Sequence, residues 1–216
     1  MISKKKIVIT QRIEKFKRYN EYRDTLDQRL INWIVFCGFI PVPIPNTLAI
    51  SGTTKDNNCL IKWLKQINPD AIIFSGGNNI GDINTKSRDI TEINLLLWAE
   101  KYKKPALGIC RGMQMMGVHA GTKLKKISGH AGVRHNLKLN DELKNSIPLI
   151  VNSYHDFALA KCPNMYKVLA MSEDNCIEAI KHKKLSWEGW MWHPEREDIY
   201  NNIDKTRLIK IVNNDK

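Results

Sequence analysis

Between Lys104 and Leu124 the chain turns from a strand into a helix across a single residue, and few folds accommodate that. Pro105-Ala106-Leu107-Gly108-Ile109 is a short apolar run that reads as a strand, and Met113-Gln114-Met115-Met116-Gly117-Val118-His119 reads as the first turns of a helix. Cys110 stands at the apex, with Gly108 and Gly112 two positions away on either side. Small residues there let strand and helix pass close together, while the apex residue is forced into a strained conformation, as in a nucleophile elbow. The elbow exposes its side chain at the carboxyl end of a sheet, where open α/β folds bind ligands. It also sets the sulfur at a helix N-terminus, whose partial positive charge favours thiolate over thiol. The same frame fits a buried structural cysteine, because free cysteine is among the most buried residue types.

The rest of the chain supplies elements of matching kind. Residues 6–10 predict a first strand, and Leu26, Leu30, Trp33 and Ile34 predict a helix over 22–34 that Gly38 ends. Residues 39–45 carry three prolines, which suit a short or edge strand. A short helix follows over Cys59–Ile67. Residues 70–74 are an apolar strand of the kind a parallel sheet buries on both faces, running into Ser75-Gly76-Gly77-Asn78-Asn79. A helix over 88–102 is expected to turn Ile93, Leu96, Leu97 and Trp98 inward. This alternation predicts an α/β fold with a mostly parallel, doubly wound sheet flanked by helices. Strands or connections over 127–130 and 133–137, a polar-ended strand over 149–155 and short strands over 166–171, 176–180 and 185–192 add a small antiparallel extension. A helix from about 203 to 212 closes the chain. With no repeat, low-complexity stretch or linker, residues 1–216 read as one domain.

Composition narrows the partners. No apolar run is long enough to cross a bilayer, and the basic start at residues 1–6 precedes only Ile7-Val8-Ile9, too short for a signal-peptide core. The expected address is the cytoplasm, with no membrane partner. Five separated cysteines with no Cys-x-x-Cys pair argue for reduced thiols and against a zinc ribbon or redox pair. The formal charge of +12 fits nucleic acid, a lysine-rich composition without a partner, or a phosphorylated small molecule. The lysines are spread from end to end, with no basic helix and no RNA-binding aromatic pattern. That tells against nucleic acid and leaves the other two open.

A cysteine nucleophile needs a base, and the base needs an orienting group. His193 and Glu195 lie two apart just past the last strand, on the same side of an extended segment, with Pro194 stiffening the pair. A Cys-His-Glu relay is the chemical logic; an ordinary polar turn is the plainer reading of His-Pro-Glu by itself. Acyl transfer further needs donors aimed at the developing oxyanion. The backbone N–H of Arg111 and one in the Gly76-Gly77 turn are candidates, the latter also readable as a plain tight turn.

Taken together, Ser75-Gly76-Gly77, the segment 108–114, Gly121-Thr122, the segment 151–155 and Trp192-His193-Pro194-Glu195 resemble class I (triad) glutamine amidotransferases. Within that fold they are most similar to the gamma-glutamyl hydrolases of the peptidase C26 group. The resemblance implies a glutamine amidotransferase-like, flavodoxin-like sheet and hydrolysis of a gamma-glutamyl amide bond. It implies Cys110 as nucleophile, His193 as base and later acid, Glu195 as orienting group, and Gly77 and Arg111 as oxyanion donors. Gln114 and the main chain at Ser153, Tyr154 and His155 would hold the amino and carboxylate ends of a glutamyl group. No cofactor or metal is called for, because the oxyanion hole does the polarising. Thr10-Gln11-Arg12 and the segment 22–29 resemble hydrolases of surface-polysaccharide pathways, which implies an anionic, nucleotide-linked substrate. Arg12, Arg23 or Arg88 could meet a diphosphate, or each could sit in an ordinary ion pair. A glutaminase that feeds ammonia to a partner synthetase is the alternative.

Overall fold

The structure, a computed structural model, describes residues 4–50 and 59–215; the start of the basic lead, residues 1–3, lies outside them. In chain order the strands and helices are β1 (Lys6–Ile9), β2 (Arg12–Phe16), β3 (Glu21–Thr25), α1 (Gln28–Phe36), β4 (Ile40–Pro43) and α2 (Cys59–Ile67). Next come β5 (Ala71–Phe74), α3 (Lys86–Lys101), β6 (Ala106–Ile109), α4 (Arg111–His119), β7 (Leu124–Lys126) and β8 (Ala131–Leu139). The last are β9 (Ile150–Tyr154), β10 (Phe157–Leu159), β11 (Tyr166–Ser172), β12 (Ile177–His182), β13 (Trp187–Trp190) and α5 (Asn202–Asn213).

A nine-stranded sheet runs in the order β4-β1-β5-β6-β13-β12-β11-β8-β9. From β4 to β13 the neighbours are parallel; from β13 to β9 they are antiparallel, so the extension is continuous with the main sheet. The alternation of side chains along a strand splits the core in two. Ile7, Ile9 and Ile73 face Leu30, Trp33 and Ile34 of α1 and Leu208 and Ile211 of α5. Val8, Ile72 and Phe74 face Leu60, Leu64, Leu95, Leu96 and the methionines of α4. Both faces are therefore covered, as a parallel sheet requires. The proline-marked β4 takes the edge position expected of it.

Two readings need correction. The helix expected over 22–34 begins only at Gln28, capped by the Asp27 carboxylate accepting from the Arg29 N–H. Residues 21–25 instead pair with β2 as a hairpin, Arg12 opposite Thr25 and Phe16 opposite Glu21. Its residues are largely exposed and pack on little, so no apolar period marked it. On α3 the buried stripe is Leu95, Leu96, Trp98 and Ala99, whereas Ile93 and Leu97 are exposed. Buried Arg88 and Glu92 take the inner face that apolar counting gave to Ile93.

Candidate active site

The parallel strands end together on one side of the sheet, and the chain leaving each contributes to one cleft. Trp190 pairs with Ile109 across β13 and β6, so Cys110 and the segment 191–193 emerge side by side. The Cys110 N–H donates to Trp190 O at 2.6 Å, which ties the elbow to β13. Cys110 itself has φ 51° and ψ −105°, a strained backbone for any residue with a Cβ. The two glycines do what the frame demands. A Cβ on Gly112 would fall 2.1 Å from Phe74 O, and one on Gly108 would fall 2.5 Å from the carbonyl carbon of Gly112.

His193 follows β13 and carries its Nδ1 2.7 Å from Glu195 Oε1, both residues being buried. Gly76 occupies the space between histidine and cysteine, since a Cβ there would meet His193 Cε1 at 2.7 Å and the Cys110 Cβ at 3.7 Å. Burial alone would push the Cys110 thiol up, but hydrogen bonding to His193, its charge and the Arg111 N–H outweigh it, and the thiol is held below its ordinary value. Burial likewise opposes a charged His193, yet Glu195 and the Cys110 sulfur push it up to about 9. Both shifts favour a thiolate–imidazolium pair.

The loop after β5 is built around Arg88. Its guanidinium donates to the carbonyls of Ser75, Gly76 and Gly77 and to the Oδ1 of Asn78, and its Nε donates to Glu92. In a trans peptide the N–H points opposite to the C=O. With Gly76 O turned to Arg88, the Gly77 N–H is turned away from Arg88, and Gly77 itself lines the cleft together with Cys110. Gly77 has φ 83°, and Arg12 lies against it, its Cδ 2.3 Å from where a Cβ would be. Arg88 is thus fully buried, paired with Glu92 as the second of its two readings had it, and spent on the loop rather than lining the cleft. Arg12 lies against Gly77 with its guanidinium 3.8 Å from Asp27, and lines a smaller pocket with Gly76, His193 and Arg196 rather than the main cleft. Arg23 pairs with Glu21 on the exposed hairpin.

The cleft has a volume of about 310 Å³, and Gln114, Tyr154, His155 and His193 contribute to its wall. The Gln114 amide donates to Phe157 O at 2.8 Å. The Tyr154 ring meets His193 edge-on at 5.8 Å between centroids. Ser153 is fully buried, its hydroxyl donating to His130 O at 2.6 Å, and is not part of the wall. The His155 N–H is likewise given to His130 O.

A family model for peptidase C26 matches residues 7–195. The chain belongs to the peptidase C26 family. It is 34% identical over 204 residues to the gamma-glutamyl-CDP-amidate hydrolase of Campylobacter jejuni, spanning 91% of this chain and 93% of that one. It is 32% identical over 171 residues to a glutamine-hydrolyzing GMP synthase component of Pyrococcus abyssi, spanning 73% and 86%. Among solved structures, a GMP synthase component from Thermoplasma acidophilum superposes with a TM-score of 0.72 at 16% identity, covering 99% of this chain and 94% of that one. A glutamine amidotransferase from Thermotoga maritima gives 0.63 at 14%, covering 98% and 84%. The fold is that of the glutamine amidotransferases, and membership of peptidase C26 makes this chain a hydrolase.

Two residues of this peptidase C26 chain escaped the sequence reading. Asn152 accepts from the His193 N–H at 2.9 Å and donates to the His193 carbonyl at 2.8 Å, holding that residue by both sides of its backbone. Arg196 lines the cleft, its guanidinium 4.5 Å from the Tyr154 ring centroid. Its signal was position: it directly follows Glu195. Asn152 lay within the segment 151–155 that carried the resemblance, but its role did not show, since its proximity to residue 193 exists only once β9 and β13 are folded.

Proposed function

We propose that this chain hydrolyses a gamma-glutamyl amide bond through Cys110, with His193 and Glu195 completing a triad. The observation that carries the reading is the buried His193–Glu195 contact of 2.7 Å beside a thiol held below its ordinary pKa. The Cys110 thiolate attacks the gamma-carbonyl, and the N–H groups of Gly77 and Arg111 receive the oxyanion. His193, charged at neutral pH, protonates the departing nitrogen and leaves a glutamyl thioester. It then takes a proton from water, which releases glutamate and restores the thiol. Gln114 spends a donor on Phe157 and keeps its carbonyl oxygen for an ammonium group. Tyr154 and His155 bound the same end of the cleft.

The substrate is gamma-glutamyl-CDP-amidate, yielding glutamate and cytidine diphosphoramidate in the cytoplasm for capsule phosphoramidate synthesis. Support comes from the match to the Campylobacter jejuni hydrolase over nearly the full length of both chains. The +12 charge of the chain and the Arg196 guanidinium at the cleft suit a diphosphate leaving group. The similarity to the Pyrococcus abyssi GMP synthase component favours a second reading, a glutaminase that passes ammonia to a synthetase. Offering the purified protein glutamine, gamma-glutamyl polyamines and a gamma-glutamyl nucleotide amidate, and measuring released glutamate, separates them. Preferential turnover of the nucleotide amidate is expected. Turnover of glutamine alone, stimulated by a second protein, would replace the first reading with the second.

A further inference from the structure

Behind the cleft wall, four buried or half-buried side chains converge without satisfying one another. His130 precedes β8, His135 lies on it, His155 follows β9 and Glu178 lies on β12. One ligand atom from each falls within 4.8 Å of the others. Among the described residues, His130 Nδ1, His135 Nε2, His155 Nε2 and Glu178 Oε1 are all buried with no hydrogen bond. Four such atoms in one place are costly, because each has given up water and gained nothing.

The outer nitrogens explain how the inner ones are set. His130 Nε2 lies 2.9 Å from the Asp174 carboxylate, and His155 Nδ1 lies 3.1 Å from Phe157 O. Both partners accept only, so each outer nitrogen carries the ring hydrogen. In the neutral imidazoles the inner nitrogens then present lone pairs, aimed at Glu178 Oε1 from 3.4 Å and 3.6 Å. Two lone pairs facing a carboxylate oxygen repel unless a positive charge stands among them. A carboxylate or carbonyl behind each ring is the usual backing of a metal-bound histidine. Bonds of about 2.0–2.1 Å to a tetrahedral ion put its ligand atoms roughly 3.3–3.4 Å apart. The two measured separations lie close to that edge.

We propose that His130, His135, His155 and Glu178 form a binding site for one zinc-class divalent cation. The ligand set is three imidazoles and one carboxylate, all compatible with Zn²⁺ in a closed, structural coordination. The ion joins β8, β9 and β12 behind the cleft wall and fixes His155, the one ligand that reaches the cleft.

The test titrates chelator-treated, full-length protein with Zn²⁺ against a chromophoric chelator, and with Co²⁺ while following the visible ligand-field bands. One equivalent of Zn²⁺ and a tetrahedral Co²⁺ spectrum are expected. His135→Ala, at a half-buried position outside the cleft, abolishes stoichiometric binding. Asp174→Ala, whose side chain is mostly exposed, weakens it by about 10–100-fold through the loss of outer support for His130. Cys110→Ser leaves binding intact. The proposal is overturned if the wild type takes up no stoichiometric metal, if stoichiometric binding survives His135→Ala, or if it is lost with Cys110→Ser.

Discussion

Asn152 holds His193 by its N–H and its carbonyl at once, at 2.9 Å and 2.8 Å, so the histidine's place beside Cys110 is set from β9, at the far edge of the sheet. The same amide donates to Glu197 at 2.8 Å. Replacing Asn152 with alanine removes no reacting group but frees the backbone that aims the imidazole. A displacement of about 1 Å at a reacting centre costs on the order of 10²-fold in rate. Asn152→Ala is expected to lower kcat by about that factor with little change in KM. Steady-state kinetics on the preferred gamma-glutamyl substrate checks it, and an unchanged kcat would remove Asn152 from the machinery.

Gly76 lies between the two principal side chains, and its substitution tests their spacing from the other direction. An added Cβ would stand 2.7 Å from His193 Cε1, closer than any real contact allows, so the ring must move. Gly76→Ala is expected to fold, because the obstacle is a side chain at the edge of a cleft. Its alkylation by iodoacetamide at neutral pH should slow, as the thiolate loses its imidazolium partner. Wild-type alkylation kinetics in this variant would show that the ring never needed the space.

How far these relationships could be read from sequence depends on how local they are. The elbow was legible because Gly108, Cys110 and Gly112 fall within five consecutive positions and the strain at Cys110 is a property of that turn. His193 and Glu195 were legible for the same reason, their contact spanning two residues. Of the two readings of Arg88, the ion pair is the one present, with Glu92 one turn on; its bonds to the loop 75–78 were not legible, because that loop lies ten or more residues away and folds back over α3. The hairpin of β2 and β3 was missed because it is paired by backbone and polar contacts, with Asn78 bonded to both the N–H and the carbonyl of Ile13. Hydrophobic periodicity sees none of that.

The strain at Cys110 is measurable. A residue with a Cβ at φ 51° and ψ −105° costs about 1–3 kcal/mol, and glycine there costs little. Alanine keeps the strain and glycine releases it, while both lack the sulfur. Cys110→Gly is therefore expected to be more stable than Cys110→Ala by about 1 kcal/mol, or roughly 2–4 °C in Tm for a chain of this size. Both variants should be inactive. Equal melting temperatures would show that the elbow is relaxed.

The two titrating groups of the site fix the pH profile. Cys110 is held below its usual 9.0, so thiolate is lost only as pH falls through that lowered value. His193 is raised from 6.5 to about 9, so its charge is complete below 6.5 and disappears as pH rises through about 9. The stabilisation of the fold that this charge supplies follows the same course, present at low pH and lost on the alkaline side. kcat/KM is expected to fall through about pH 9, where the leaving nitrogen loses its proton donor. Glu195→Gln removes the carboxylate that sustains the charge and moves the alkaline limb to lower pH. An alkaline limb that does not move in this variant would exclude His193 as the acid.

Beneath the loop, Glu92 lies fully buried between Arg88 and Arg111, and Asp89 completes the network from the Arg111 side. Burial would raise the Glu92 carboxyl, but the two guanidiniums outweigh it and hold it ionised. Removing one partner of a buried ion pair strands the others, at a cost of about 3–5 kcal/mol. Glu92→Gln is expected to lose stability of that order, seen in denaturant unfolding, because buried Arg88 then loses its carboxylate and Arg111 keeps only Asp89. Arg88→Lys keeps the charge beside Glu92 but has no fork to reach the carbonyls of Ser75, Gly76 and Gly77 together. It should therefore retain more stability than Glu92→Gln while losing kcat through a misaligned Gly77 N–H. A lysine variant with full kcat would mean that the loop holds its shape without the guanidinium.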